Sequence, residues 1–253
     1  MKLIKNILRK LGFEIRRIDP FPIGSAMRPV GDMKRLLQDL KYRGLDCKSI
    51  IDVGAHVGSW SSMAHEIFPS AKFCLIEPQI VLEDIIKDFC SRVKGSIYFM
   101  LGAGEKMEEK LLTTYDDLAG ASLLPHENQS LVKSGKQLLV KLISLDEIVK
   151  SEQFTVPELV KIDVQGFEIE TLKGAEFLFG KTEVFIIEVS FYSFGDDIGF
   201  PVFSDIVNFM LAKDYVAYDF PGFLRRPYDG ALAQCDICFV KRNGFLRNTN
   251  RWE

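Results

Sequence analysis

The chain has no excess of basic residues, no long apolar run and no internal repeat, and each absence removes a class of function. Its 253 residues carry 32 Lys and Arg against 35 Asp and Glu, a formal net charge of −3. The basic stripe by which a general nucleic-acid binder displaces counterions is therefore missing, and nothing larger than a local patch stays open. No segment approaches the roughly 18 consecutive apolar residues that mark a transmembrane helix. The opening stretch, MKLIKNILRKLGFEIRRID, lacks the unbroken apolar core and small-residue cleavage site of a secretory leader. The cysteines number five. Cys235 and Cys238 form a lone C-x-x-C with no second Cys/His pair nearby to complete a zinc site. Their segment alternates like a strand, which would turn the two thiols to opposite faces. Buried free thiols in a reducing compartment fit that pattern, so a cytoplasmic protein is expected.

The residues present describe an α/β protein. Hydrophobic residues make up 47%, enough for a sheet covered on both faces. At the N-terminus Leu3, Ile4, Ile7, Leu8 and Leu11 recur at helical spacing, with Lys2, Lys5, Arg9 and Lys10 around the other side. Two readings stay open: a short helix packed on the domain or a partner, and an amphipathic peripheral contact with the inner face of a membrane. Residues 1–44 are accordingly read as a helical extension and linker, with prolines crowding residues 20–30 and a helix carrying Met33, Leu36, Leu37 and Leu40 on one face. Residues 45–243 form the main domain, and 244–253 a tail.

Strand and helix then alternate, as a parallel sheet requires. The strands are SIIDV, KFCLIEP, SIYFMLGAG, ELVKIDV and VFIIEVSF, then YVAYDF and CDICFVKR as a closing antiparallel hairpin. Helices are expected over 59–67, through Ile85 and Ile86, over 168–179 and over 202–212. Between about 105 and 145 the pattern is irregular, with β-like runs KLLTTY and KQLLVKLI around a polar stretch, and reads as an inserted hairpin or lid.

The first chemical signal is IIDVGAHVGSW. A buried strand runs into a glycine turn that opens a helix, a geometry that brings backbone close to a ligand and offers helix N–H groups to an anion. The glycines lack the G-x-G-x-x-G spacing of dinucleotide sites. Asp52 precedes the turn, and Gly54, Ala55, His56 and Gly58 form it. The second signal is Glu77, at the end of the next strand and followed by Pro78, where a carboxylate can accept both ribose hydroxyls of a nucleoside cofactor. Ala103 and Gly104, at the end of the third strand, are small enough for an adenine ring to lie on the backbone. The missing third glycine favours S-adenosylmethionine over NAD.

The third signal is VKIDVQGFEIETLKGAEFLF followed by VFIIEVSF. Here the chain resembles the FkbM family of methyltransferases, through Lys161, Ile162, Asp163, Gly166, Glu168, Leu172, Lys173, Gly174, Ala175 and Glu188. Gln165 departs from the pattern, which has glutamate there. The resemblance extends over about 49–240, including LISLDEI and QCDICFV. It implies a Rossmann-like class I methyltransferase fold: a mostly parallel seven-stranded sheet with an antiparallel last strand and helices on both faces. It also implies S-adenosylmethionine as cofactor and O-methylation of a glycan or secondary-metabolite acceptor.

For the chemistry, Asp163 and Glu188 end adjacent central strands, where open α/β sheets bind ligands. They could act as general base and positioner, with Asp163 also a contact for the cofactor's amino group. A shared divalent cation is left open, and no metal ligand is assigned. His126, in the polar insert, is a further candidate base because an imidazole titrates near neutral pH. His65 reads as packing or surface, and Glu168 as a helix-dipole residue. The late aromatics, Phe191, Tyr192, Phe194, Phe200, Tyr218, Phe220, Phe223 and Tyr228, suit sugar stacking or plain packing. Competing readings are an NAD enzyme, a nitrogen or nucleic-acid methylase (the N-P-P-Y-like strand end is absent), and a member of the fold that binds cofactor without turnover. Subunit number is not addressed by the sequence.

Overall fold

The computed structural model describes residues 23, 24, 26, 28–124, 127–151, 153–193 and 200–252. The amphipathic segment near the N-terminus, His126 and Phe194 lie outside them. Among the described residues no helix is long and apolar enough to cross a membrane.

Helix α1 (Met33–Tyr42) is held at its start by the Asp32 carboxylate, which accepts from the Arg35 N–H, and buries Leu36, Leu37 and Leu40 completely. Strand β1 (Ser49–Val53) is buried along its whole length, as expected of a strand with helices on both sides. Next come α2 (Ser59–Ile67), β2 (Lys72–Ile76), α3 (Glu83–Arg92) and β3 (Ile97–Phe99). The run SIYFMLGAG, expected as one strand, is broken after Phe99. Its glycine end forms β4 (Gly102–Ala103), which pairs with the insert and not with β2. The cause is steric: a Cβ on Gly102 or Gly104 would lie 2.6 or 2.9 Å from the Leu142 side chain, so glycine is what lets the insert close against this segment.

The insert is the expected hairpin, β5 (Glu109–Thr113) antiparallel to β6 (Gln137–Ile143), with a short helix α4 (Gln129–Lys133) between them. Helix α5 (Leu145–Lys150) leads to β7 (Leu159–Ile162). Helix α6 (Glu168–Lys173) is shorter than the 168–179 expected. It stops at Gly174, where a Cβ would meet the Gly104 carbonyl at 2.0 Å, and a 3-10 turn over Glu176–Leu178 follows. The chain ends with β8 (Val184–Ser190), α7 (Phe203–Ala212), β9 (Tyr215–Arg225) and β10 (Leu232–Lys241).

The main sheet has seven strands in the order β3-β2-β1-β7-β8-β10-β9. All run parallel except β10, which is antiparallel to both β8 and β9. The last strand thus slots into the interior and leaves β9 at the edge. This is the Rossmann-like class I methyltransferase architecture. Two cores flank it. Val53, Ile162, Phe185 and Ile187 pack with Leu145, Leu172 and Met210 on one face. Ile50, Leu159 and Ile186 pack with α1 and Ala64 on the other. Cys235 belongs to the first core and Cys238 to the second. The two thiols do face opposite ways, and burial pushes both upward in pKa, Cys235 to about 12.

Candidate active site

The carboxyl ends of β1, β2, β7 and β8 open onto a cavity of about 400 Å³. At one end it is lined by Gly54, His56, Glu77, Pro78, Gly102 and Ala103. At the other end stand Asp163, Gln165, Glu188 and Gln234. Residues 117–121 and Leu123, from the insert, cover it between.

The first end is made largely of backbone. Gly54 has φ +74°, and a Cβ there would lie 1.8 Å from the Asp163 carbonyl oxygen. Only glycine lets the exit of β1 cross the exit of β7 at this distance. The N–H groups of Gly54 and Ala55 both donate to the Ile76 carbonyl, at 2.9 and 3.1 Å, and that of Gly58 to Ala55. The His56 N–H donates to Glu77 Oε2 at 2.9 Å, and the Gln79 N–H to Glu77 Oε1 at 3.0 Å. Gln79 Nε2 also donates to Oε1 at 3.0 Å, so Glu77 is buried and aimed by two backbone donors and one amide, with Oε2 keeping a lone pair for a hydroxyl. Helix α2 begins at Gly58 (φ +70°) with no side-chain cap and no acid in its first turn, so its first N–H groups remain for a ligand or solvent.

Four residues expected around the cofactor, Asp52, Ala55, Gly58 and Gly104, do not line the cavity. Asp52 lies beneath it, where it accepts from Ser61 Oγ at 2.6 Å while its other oxygen has no partner. Burial raises its pKa to about 6, against the pull of Lys161 and Ser61. Ala55 and Gly58 shape the turn from behind, and Gly104 is packed on Leu142 and Phe167.

The second end is made of side chains. Lys161, on β7, points along the same face as Asp52, its register partner on β1, and donates to Asp163 Oδ2 at 2.8 Å. Gln165 Nε2 donates to both Asp163 Oδ1 at 2.9 Å and Glu188 Oε2 at 2.7 Å. Gln234 Nε2, from β10, donates to Glu188 Oε2 at 2.9 Å and reaches Gln165 Oε1 at 3.4 Å. Asp236 is Glu188's register partner. Acids thus outnumber cations in this pocket, and their titration separates. For Glu188, burial and then the charges of Asp163 and Asp236 push its pKa up to about 8, against Lys161 and Gln165. For Asp163, burial acts upward too, but the ammonium of Lys161 holds it below the usual range. Burial works against the Lys161 charge, yet Asp163 and Asp52 keep its pKa above the ordinary lysine value.

The turn carrying Gln165 is strained. Gln165 has φ +49° and Gly166 φ +100°, and for a glutamine that conformation persists only where neighbours hold it. Ser122 Oγ donates to the Gln165 carbonyl at 2.7 Å, and Glu168 Oε1 accepts from the Gly166 N–H at 3.0 Å. Glu168, expected as a dipole residue, is in fact buried and clasps this turn. Burial lifts its pKa to about 7, while the N–H groups of Gly166 and Glu168 pull it back. His65 packs edge-on against Phe73 and Phe89, with ring centroids at 6.0 and 6.4 Å, away from the cavity. Among the late aromatics, Phe191 stacks on Phe203, and Tyr228 stands open to solvent beside Arg226.

Sequence reasoning missed Gln234 and Asp236 as parts of the site. Their signal was present: polar residues alternate with the apolar Cys235 and Ile237 in one strand.

Comparison with known proteins gives the family. Residues 52–217 match the model of the Methyltransferase FkbM domain. The chain is similar to methyltransferase sdnD of Sordaria araneosa, 27% identical over 158 residues that cover 50% of this chain and 60% of that protein. It is also similar to hexuronic acid methyltransferase AglP of Haloferax volcanii, 36% identical over 58 residues, 23% of this chain and 24% of that one. The chain thus spans less than two thirds of each of these relatives. Among solved structures it is similar to methyltransferase FkbM from Methylobacillus flagellatus KT, with 19% identity and a TM-score of 0.48 over 76% of this chain and 44% of that one.

Proposed function

From the premise that the chain belongs to the FkbM methyltransferase family, we propose that it transfers a methyl group from S-adenosylmethionine to a hydroxyl oxygen of a glycan or small secondary-metabolite acceptor. The observation that carries the proposal is one cavity with two unlike ends. A buried carboxylate aimed by backbone donors sits at one, and a carboxylate pair held by two amides sits at the other.

The residues fit the cofactor. Glu77 keeps acceptor capacity for ribose hydroxyls, and Pro78, Gly102 and Ala103 give a flat, small-residue wall for the base. The uncapped start of α2 offers N–H groups to a carboxylate. Asp163, held ionised by Lys161, suits a cationic amino group. When bound, S-adenosylmethionine supplies an electrophilic methyl on a sulfonium.

The chain's own task is then to orient the acceptor in line and take its proton. Glu188 is the group for the proton. Its pKa, raised toward neutral pH by burial and neighbouring charge, makes it a stronger base than an ordinary carboxylate once ionised. Asp163 and Gln165 fix its position. His126 lies outside the described residues and is given no role here. A hexuronic acid, the acceptor class in one relative's name, belongs to the range this site is proposed to accept. Peripheral membrane contact through the amphipathic N-terminal segment, which would bring the enzyme to a membrane-linked glycan, belongs to the same proposal.

The test is incubation of the purified chain with S-adenosylmethionine and a panel of hydroxylated saccharides that includes hexuronic acids, read by mass spectrometry. We expect one added methyl on a subset of acceptors, lost in Glu188→Gln with cofactor binding intact. Cofactor binding with no turnover across the panel would favour a scaffold that has kept only the pocket.

A further inference from the structure

The amide of Gln165 stands in an unusual place. One nitrogen lies 2.9 Å from Asp163 Oδ1 and 2.7 Å from Glu188 Oε2. Two half-buried carboxylates that converge from adjacent parallel strands repel each other, and an oxygen-rich gap of that kind is what a hard divalent cation fills. Here the gap is filled by an N–H₂ group with two donors and a partial positive charge. Its orientation is fixed from both sides, because both carboxylates need a donor and Gln165 Oε1 faces the Gln234 amide at 3.4 Å. Gln234 adds a second donor to Glu188 Oε2, which fixes that oxygen from two sides. The backbone strain at Gln165, held by Ser122 and by Glu168 acting through Gly166, is what delivers the amide to this point.

We propose that Gln165 is a positioning residue that takes the place of a bridging divalent cation between Asp163 and Glu188, braced by Gln234, so that this chain transfers methyl groups without a metal. The proposal rests on the methyltransferase reading above and deepens it. It also assigns meaning to the residue at which this sequence departs from its family resemblance. A glutamate at position 165 would put a third carboxylate into the gap, remove the donor, and turn the cluster into a cation site.

The experiment is calorimetric titration of Mn²⁺ into the full chain, alone and with S-adenosylmethionine present, for wild type, Gln165→Glu and Gln234→Glu. Wild type is expected to bind no Mn²⁺ at this site. Gln165→Glu should bind it at least about tenfold more tightly than wild type, since carboxylate count sets affinity in such sites. Gln234→Glu, whose new charge would face Glu188 alone, should bind it less tightly than Gln165→Glu. The acid limb of the methylation pH profile should also move up in Gln165→Glu by about one unit, because a third negative charge makes Glu188 harder to ionise. A thermal melt of each variant separates a folding defect from a lost site. Stoichiometric Mn²⁺ binding by wild type with loss of methylation on adding EDTA would overturn the proposal. So would a folded Gln165→Glu protein that binds Mn²⁺ no better than wild type. Failure to bind S-adenosylmethionine in every variant would instead sink the methyltransferase reading itself, and the two failures are distinguishable.

Discussion

The two ends of the cavity solve the same problem, holding a carboxylate in place, by different means. At Glu77 the work falls mostly to backbone: the N–H groups of His56 and Gln79 aim the side chain, and the Gln79 amide adds one donor. At Glu188 it falls to the amides of Gln165, in the turn after β7, and of Gln234, on β10. A backbone cradle is indifferent to which polar residues surround it but intolerant of a single Cβ. A side-chain cluster tolerates changes of residue and responds to each with a change of charge. Under the proposed function, the first end suits the unchanging task of gripping one cofactor, and the second the adjustable task of matching an acceptor's acidity.

The sharpest way to break the comparison is Gly54→Ala, because the new Cβ would lie 1.8 Å from the Asp163 carbonyl in a left-handed backbone. That junction ties both ends together, so a loss of about 4 kcal/mol or more is expected, seen as a large fall in Tm or as no folded protein. Next is Lys161→Met, which leaves the half-buried Asp163 and the buried Asp52 without their cation. A cost of about 3 kcal/mol in chemical denaturation is expected, smaller at acid pH where those acids can protonate. Third is Glu77→Gln, which keeps the side chain's size but removes the charged acceptor. Cofactor affinity should fall by about ten- to thirtyfold in calorimetry, with Tm changed by only a few degrees.

The smallest effect sharpens the comparison through pH. Glu188 is raised from its ordinary 4.5 to about 8 in the folded state. Between those values the folded protein binds more protons than the unfolded chain, so stability falls as pH rises through the window. Glu168, raised to about 7, and Asp52, raised to about 6, act in the same direction. We expect Tm to decline gently from about pH 5 to pH 8 and the decline to be shallower in Glu188→Gln. The rate of methyl transfer should move the opposite way, rising as Glu188 ionises.

Much of the fold was legible because hydrophobic period and turn chemistry agree with it. SIIDV and VFIIEVSF are mostly apolar runs with one acid each, and both became largely buried strands. SIYFMLGAG misled because its apolar pattern is unbroken while its pairing partner changes after Phe99, and pairing is not a local property. The cofactor end was readable in part, since glycine spacing and a strand-end acid are local signals. Even so, Asp52 and Gly104 proved to lie behind the cavity wall, because period alone does not say how deep a residue sits. The acceptor end was half readable. Asp163 and Glu188 follow from strand ends, whereas Gln234 reaches them only through the antiparallel register of β10 against β8, across 46 residues of chain from Glu188.

The central claim is that the backbone-made end grips S-adenosylmethionine. It is tested most directly by calorimetric titration of S-adenosylmethionine and, separately, NAD into the purified chain, with Glu77→Ala alongside. The account expects S-adenosylmethionine to bind at about micromolar Kd and to lose that binding in the variant, with no heat from NAD. Binding of NAD alone, or of neither ligand to a folded protein, would contradict it.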